Sequence, residues 1–338
     1  MSKSMKNKSK MKFAELAAQC LASMTHGVKE STLAHYRYTL SRYLLPVFGE
    51  YQISLLDAQQ LEQGLLQVIA PADGSHMPLG ASSSRECLTM LRRICKYGAH
   101  LQLMKPVEIC IKLPQMEQNA PKPLSSKEQA AVQDFVLQHP TTRKVGLLLQ
   151  MQLGLRIGEV CGLQWGDFDL RAGTLTIRRT VSRICCDVGR TKVVIQTPKT
   201  KSSGREIPIP QELVVLLRKL RGNASIDTWF LSGNRSKPTE PRCYRKSIRG
   251  YLRRASVRQV HPHVLRHTFA TTCLQTGCDI KTLSEILGHT DANITLKRYV
   301  HSDMKRKRNE MNRIFSAVWK TRPAPVPVGK TMSLTQGA

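Results

Sequence analysis

One stretch, from Leu113 to Leu124, limits how this chain can fold more than any other feature does. Pro114, Pro121 and Pro123 lack a backbone donor and have a fixed φ, so neither a helix nor a central strand propagates through them. Their neighbours are mostly polar, which makes the stretch an extended connector. With 338 residues, 41% of them hydrophobic, both flanks can bury a core. The expected organisation is a basic N-terminal tail over 1–11, a helical unit over 12–112, a linker over 113–124, a second unit over 125–320 and a disordered tail over 321–338.

Apolar periodicity before the connector predicts four helices, at Phe13–Met24, Ser31–Phe48, Ser54–Ile69 and Ser82–Leu103, the second capped by Ser31 and Thr32. The fourth carries Arg85, Arg92, Arg93 and Lys96 beside an apolar stripe of Leu88, Leu91 and Ile94. That basic face is either solvated or turned toward an anionic partner. After the connector, Ser125 and Glu128 stand at capping-box spacing and open a new helix. Two helices flank Gly154, then β-rich runs at Thr174–Ile184, Lys192–Gln196 and Glu206–Ile209 predict a three-stranded antiparallel sheet. Helices return at Gln211–Leu220, Arg242–Ala255, Pro262–Leu274, Ile280–Leu287 and about Ala292–Trp319. The fold class is mainly α with a small antiparallel sheet.

Charge narrows the partner. There are 52 Lys and Arg against 24 Asp and Glu, a formal net of +28 spread along the whole length. A polyanion is implied, with nucleic acid ahead of an anionic membrane surface. Aromatics make up only 5% of the chain, fewer than stacking platforms for RNA would call for. The ten cysteines include no C-x-x-C pair and lie mostly in apolar helical patterns, so they are expected to be reduced core residues without a structural metal. The basic N-terminus is not followed by the apolar core of a signal peptide, and no stretch has the length of a membrane span, so a cytoplasmic location is expected.

Several polar residues could carry chemistry. Arg156, in Gly154-Leu155-Arg156, falls where one helix stops and another starts; it is a candidate phosphate ligand or a partner of Glu159. His263 and Arg266 are three residues apart in a helix opened by Pro262, and so share a face. A zinc site from His263 and His267 lacks the glutamate that the zincin pattern places after the first histidine, because Val264 stands there. His289 follows Leu287-Gly288 at a helix stop. Tyr299 alone would read as an amphipathic helix residue, since a phenol ionises near about pH 10 without cations around it.

Taken in order, Arg156 in Gly-Leu-Arg, His263-x-x-Arg266, Leu-Gly-His289 and Tyr299 in Arg298-Tyr299-Val300-His301 resemble the signature of the tyrosine recombinases, the phage-type integrases, over essentially residues 12–318. The resemblance implies a two-domain clamp of a helical core-binding domain and a mixed α/β catalytic domain. It implies that Tyr299 attacks a phosphodiester to leave a 3′-phosphotyrosyl link, with Arg156, Arg266 and His289 stabilising the phosphate and His263 moving the tyrosine proton. The family's lysine lies in a turn between strands. Here that turn holds Lys199 and Lys201, with Lys199 assigned the role and Lys201 a competitor or DNA contact.

No cofactor, metal or ATP is implied. The implied partners are double-stranded DNA at specific sites, three further copies of the chain in a tetramer formed on DNA from solution monomers, and accessory DNA-bending proteins. The implied place is the nucleoid of a prokaryote. Met311, Ile314, Phe315, Val318 and Trp319 form an apolar stripe that could cover its own core or dock on a neighbouring copy. Two rivals share the sequence pattern: a recombinase-derived DNA-binding protein without activity, and a DNA-relaxing enzyme of the type IB topoisomerase kind.

Overall fold

A computed structural model describes residues 10–25, 27–72, 74, 76–113, 122–187, 190–197, 204–289, 308 and 311–312. Before the connector come α1 (Phe13–Ser23), α2 (Glu30–Thr39), a π-helical segment (Leu40–Leu44), α3 (Leu45–Phe48), α4 (Ala58–Ile69) and α5 (Ala81–His100). Their apolar faces converge on one core, with Leu44, Ile53, Leu61, Leu65, Leu91 and Ile94 wholly buried. The expected second helix is present with two corrections. It starts at Glu30 after Lys29, so Ser31 and Thr32 lie inside its first turn and do not cap it. It also widens near its end, where Leu45 donates to Leu40 O; Pro46 one residue on has no N–H with which to continue the α pattern.

After the connector, Ser125 and Glu128 form the expected reciprocal capping box at the start of α6 (Ser126–Gln138). Then follow α7 (Thr142–Gln152) and the short α8 (Ile157–Cys161). The strands are β1 (Phe168–Asp169), β2 (Thr174–Thr176), β3 (Thr180–Asp187), β4 (Arg190–Gln196) and β5 (Glu206–Pro208). Helices α9 (Gln211–Arg221), α10 (Pro241–Arg254), α11 (Pro262–Gln275) and α12 (Ile280–Leu287) complete the described part. A second core runs from Leu124 to Leu265 around Trp165, Phe230 and Tyr244. Of the expected C-terminal helix only Arg308, Met311 and Asn312 are described; they are helical, and Met311 is exposed. The rest of that helix and the 321–338 tail lie outside the described residues.

An antiparallel three-stranded sheet is present, in the order β1-β2-β5, but its strands differ from those expected, and β3 and β4 form a separate hairpin. The run expected as a single strand over Thr174–Ile184 breaks between Thr176 and Thr180. Arg179 there turns its guanidinium onto the buried Asp167, at 3.1 and 3.2 Å. β1 was not anticipated, because a two-residue strand carries no periodic signal. The hairpin lies against the amino-terminal unit, where Lys192 pairs with Glu30 at 2.5 Å and Lys29 donates to Thr197 O at 2.7 Å. The cysteine reading also needs correction. All ten are free thiols, but only Cys20, Cys87, Cys95 and Cys161 are buried, while Cys110, Cys186 and Cys243 are exposed.

Candidate active site

The site is built around the carboxyl end of α12. Gly288 adopts the left-handed conformation, with φ 64°, and caps the helix: its N–H donates to Glu285 O and that of His289 to Ser284 O. The carbonyls of Ile286 and Leu287 are left for other partners. Three arginines supply them. Arg266 Nη2 donates to Leu287 O at 2.8 Å, Arg205 Nε to Ile286 O at 2.6 Å, and Arg156 Nη1 approaches Leu287 O at 3.5 Å. Cations at this negative end of the helix are favourably placed.

Gly154 sets the other wall. Its φ of 66° turns the chain sharply after α7, and its carbonyl accepts from Arg266 Nη1 at 2.8 Å. A Cβ here would lie 2.5 Å from Phe269 Cδ1 and 2.9 Å from Leu287 Cδ2, so glycine is required by both conformation and space. Arg156 follows at the entry to α8. Its N–H donates to Glu159 Oε2 at 2.9 Å and its Nη1 to Glu159 Oε1 at 2.8 Å. Both readings of Arg156 therefore meet in one residue: it is paired with Glu159 and it also belongs to the arginine cluster.

Glu159 is buried and also receives Arg205, Nη1 to Oε1 at 3.1 Å and Nη2 to Oε2 at 3.0 Å. Burial alone would raise its pKa, but the Arg205 hydrogen bonds and charge, together with Arg156, outweigh burial and lower it to about 2. Arg266 Nη2 lies 2.9 Å from His289 Nε2. A guanidinium only donates, so His289 Nε2 accepts in this arrangement. Three guanidiniums against one carboxylate leave the cluster with excess positive charge, the condition for holding a phosphate.

Of the residues singled out in the sequence, the structure brings Arg156, Arg266 and His289 together. His263 is exposed in the first turn of α11, three residues before the buried Arg266. Lys199, Lys201 and Tyr299 lie outside the described residues. On the basic face of α5, Arg85 and Lys96 are exposed. Arg92 is bound to Ile109 O, and Arg93 stacks 4.9 Å from the Tyr36 ring centroid. Arg205 was missed in the sequence, where it looks like one more basic residue of a basic turn. The only local sign was its place next to the β-rich run at Glu206, which shows neither burial nor partner.

Residues 123–306 match the family described as the phage integrase family, and residues 12–66 match the N-terminal SAM-like domain of phage integrases. The chain belongs to the phage integrase family. A relative named tyrosine recombinase XerC-like, from Caldanaerobacter subterraneus subsp. tengcongensis, is 31% identical over 184 residues, covering 49% of this chain and 47% of that protein. The transposase from transposon Tn916 of Enterococcus faecalis is 30% identical over 183 residues, covering 50% and 44%. Tyrosine recombinase XerD of Yersinia pestis is 28% identical over 306 residues, covering 84% and 91%. The chain thus spans about half the length of several curated relatives that it matches.

Among solved structures, the Tn1549 transposon integrase in complex with a circular intermediate DNA aligns with a TM-score of 0.71 at 18% identity, covering 90% of this chain and 99% of that one. A lambda integrase tetramer bound to a Holliday junction aligns at 0.60 and 13% identity, covering 89% and 81%. At such identities the likeness is one of fold.

Proposed function

We propose that this chain is a site-specific recombinase of a mobile genetic element that cuts and rejoins DNA through a 3′-phosphotyrosyl intermediate on Tyr299. The observation that carries the reading is the arginine cluster: Arg156 and Arg266 are held by protein carbonyls and by Glu159 in fixed directions around His289. Donors already in place where charge builds need no reorganisation as the phosphate becomes pentacoordinate. Arg156 and Arg266 hold the non-bridging oxygens and His289 completes their set. His263 moves the tyrosine proton, and Lys199 or Lys201 delivers a proton to the departing 5′-oxygen.

Residues 12–112 act as the core-binding domain and 125–320 as the catalytic domain, closing around the duplex, with Arg85, Arg92, Arg93, Lys96 and Lys201 on the DNA side. Four copies assemble on two duplexes, aided by DNA-bending proteins, inside a prokaryotic cell. Among the described residues no helix is long and apolar enough to cross a membrane. In this reading the apolar stripe at Met311–Trp319 of a neighbouring copy docks on an open groove lined by apolar Leu137, Leu213 and Phe269 and by polar Gln129, Gln133 and Glu212.

The test is to incubate the purified chain and Tyr299→Phe with supercoiled plasmid carrying candidate attachment sites, then run a denaturing gel. Protein-linked DNA from the wild type alone, with products joined between sites, is the expected result. Relaxed plasmid without joined products points to the topoisomerase-like rival. Bound DNA with no adduct points to the inactive binding protein.

A further inference from the structure

We propose that Arg205 is a positioning residue of this site: it holds the Glu159 carboxylate and leaves the charge of Arg156 free for the scissile phosphate, an inference that rests on the function proposed above. Arg205 stands immediately before β5, far in sequence from α8 and α12, yet it joins both. Its Nη1 and Nη2 grip Glu159 through two parallel bonds, and its Nε holds Ile286 O. Each of its nitrogens thus donates inside the protein. Its side chain is 6% exposed against 35% for Arg156, so Arg156 faces the substrate side and Arg205 lies behind it.

The chemistry explains why two arginines are needed. Were Glu159 paired with Arg156 alone, the two charges would cancel, and an approaching phosphate would meet a neutral pair. With Arg205 supplying the counter-charge from behind, Glu159 still fixes the direction of the Arg156 guanidinium through Oε1 and that of its backbone through Oε2. The group of Arg156, Glu159 and Arg205 nevertheless keeps one net positive charge. Arg205 also keeps the carboxylate ionised, because its bonds are the largest influence opposing burial. The charged and titratable groups gathered here come from every side of the cluster. Arg156 and Arg205 lie on Glu159 itself, while Arg266 and His289 lie on the same helix end through Leu287 O.

The experiment is a double-mutant cycle in the full chain, using Arg205→Gln, Glu159→Gln and both together, with Arg205→Lys as the conservative variant. DNA affinity by mobility shift and single-turnover adduct formation on a site-bearing duplex are followed across the acid and neutral range. Arg205→Gln is expected to leave DNA affinity within about twofold and to slow adduct formation roughly 10- to 100-fold, the usual cost of removing a residue that orients a ligand-binding one. The loss should be larger at acid than at neutral pH, because Glu159 without the Arg205 bonds protonates more easily. Arg205→Lys, which restores the charge without the fork, should recover part of the rate.

In the Glu159→Gln background the Arg205 change should add less than about threefold, since its target is already gone. Effects that multiply in the cycle, or a loss equal at every pH, would overturn the inference and leave Arg205 a merely structural residue. If Arg205→Gln does not accumulate as folded protein, the cycle with Arg205→Lys decides on the same criteria. Adduct from the wild type with an unimpaired Arg205→Gln overturns this inference alone; no adduct from the wild type on any DNA removes the phosphotyrosine reading and this inference with it.

Discussion

The helix end at α12 and the basic face of α5 are both arginine-bearing surfaces, and they use the residue in opposite ways. At α12, Arg205 and Arg266 are buried, and their guanidiniums donate to carbonyls, a carboxylate and an imidazole in fixed directions. On α5, Arg85, Arg92 and Lys96 are exposed and Arg93 is half-buried, and even where a guanidinium meets a partner, as Arg92 meets Ile109 O and Arg93 the Tyr36 ring, it stays at the surface. A buried guanidinium has lost its hydration and must be satisfied in one geometry, which costs stability if a partner is removed but supplies fixed direction. An exposed cation keeps its water and contributes affinity with little direction. The first arrangement suits chemistry at one phosphate, the second attraction to many.

The sharpest way to break this comparison is Arg266→Gln. It strips donors from Gly154 O, Leu287 O and His289 together. Adduct formation should fall on the order of 10²- to 10³-fold, and the fold should lose roughly 1–3 kcal/mol, as for buried carbonyls left without their donor. Single-turnover assays and denaturant melts check both. An undiminished rate would mean that the cluster is only structural.

Gly154→Ala comes next: the positive φ and the contact with Phe269 should destabilise the chain by roughly 1–3 kcal/mol, seen as a lower melting midpoint. Normal stability there would show that the turn has room to relax.

Glu159 tests the electrostatic side. Its folded pKa is depressed, so its stabilisation is full above the ordinary carboxylate value of 4.5 and is lost as pH falls toward about 2. Melting temperatures of the wild type should drop across that window, whereas those of Glu159→Gln should be lower at neutral pH and flatter below it.

The smallest effects belong to α5. Arg85→Ala and Lys96→Ala should each weaken DNA binding about equally on all sequences and reduce the salt slope by about one ion for each cation removed. Neither should change the cleavage rate at saturating DNA. A rate defect would place this face within the chemistry and erase the contrast.

How far all this could be read from residues depends on the range of the interaction. The Ser125–Glu128 capping box, the start of α11 at Pro262 and the stop of α12 at Gly288 are local, each set by a few neighbouring residues, and all are found where the pattern put them. The break at Arg178 and Arg179 is not local. It depends on Asp167, which is buried by other elements, so a run of β-formers looks continuous in the sequence and is split in the fold. Arg205 is similar: burial, not residue type, separates it from the solvated arginines around it.

The sequence by itself therefore determined where most helices lie and, through four short motifs in order, the family, while its charge pointed to a nucleic-acid partner. Proline, capping residues, charge and motif order act over a few positions or over the whole chain, and need no knowledge of which residues meet in space. Only the tertiary structure decided which cations share the site. The bonds joining Arg156, Glu159, Arg205, Arg266 and the end of α12 reach across as many as 131 positions, and desolvation in a common interior gives those side chains their direction and charge state.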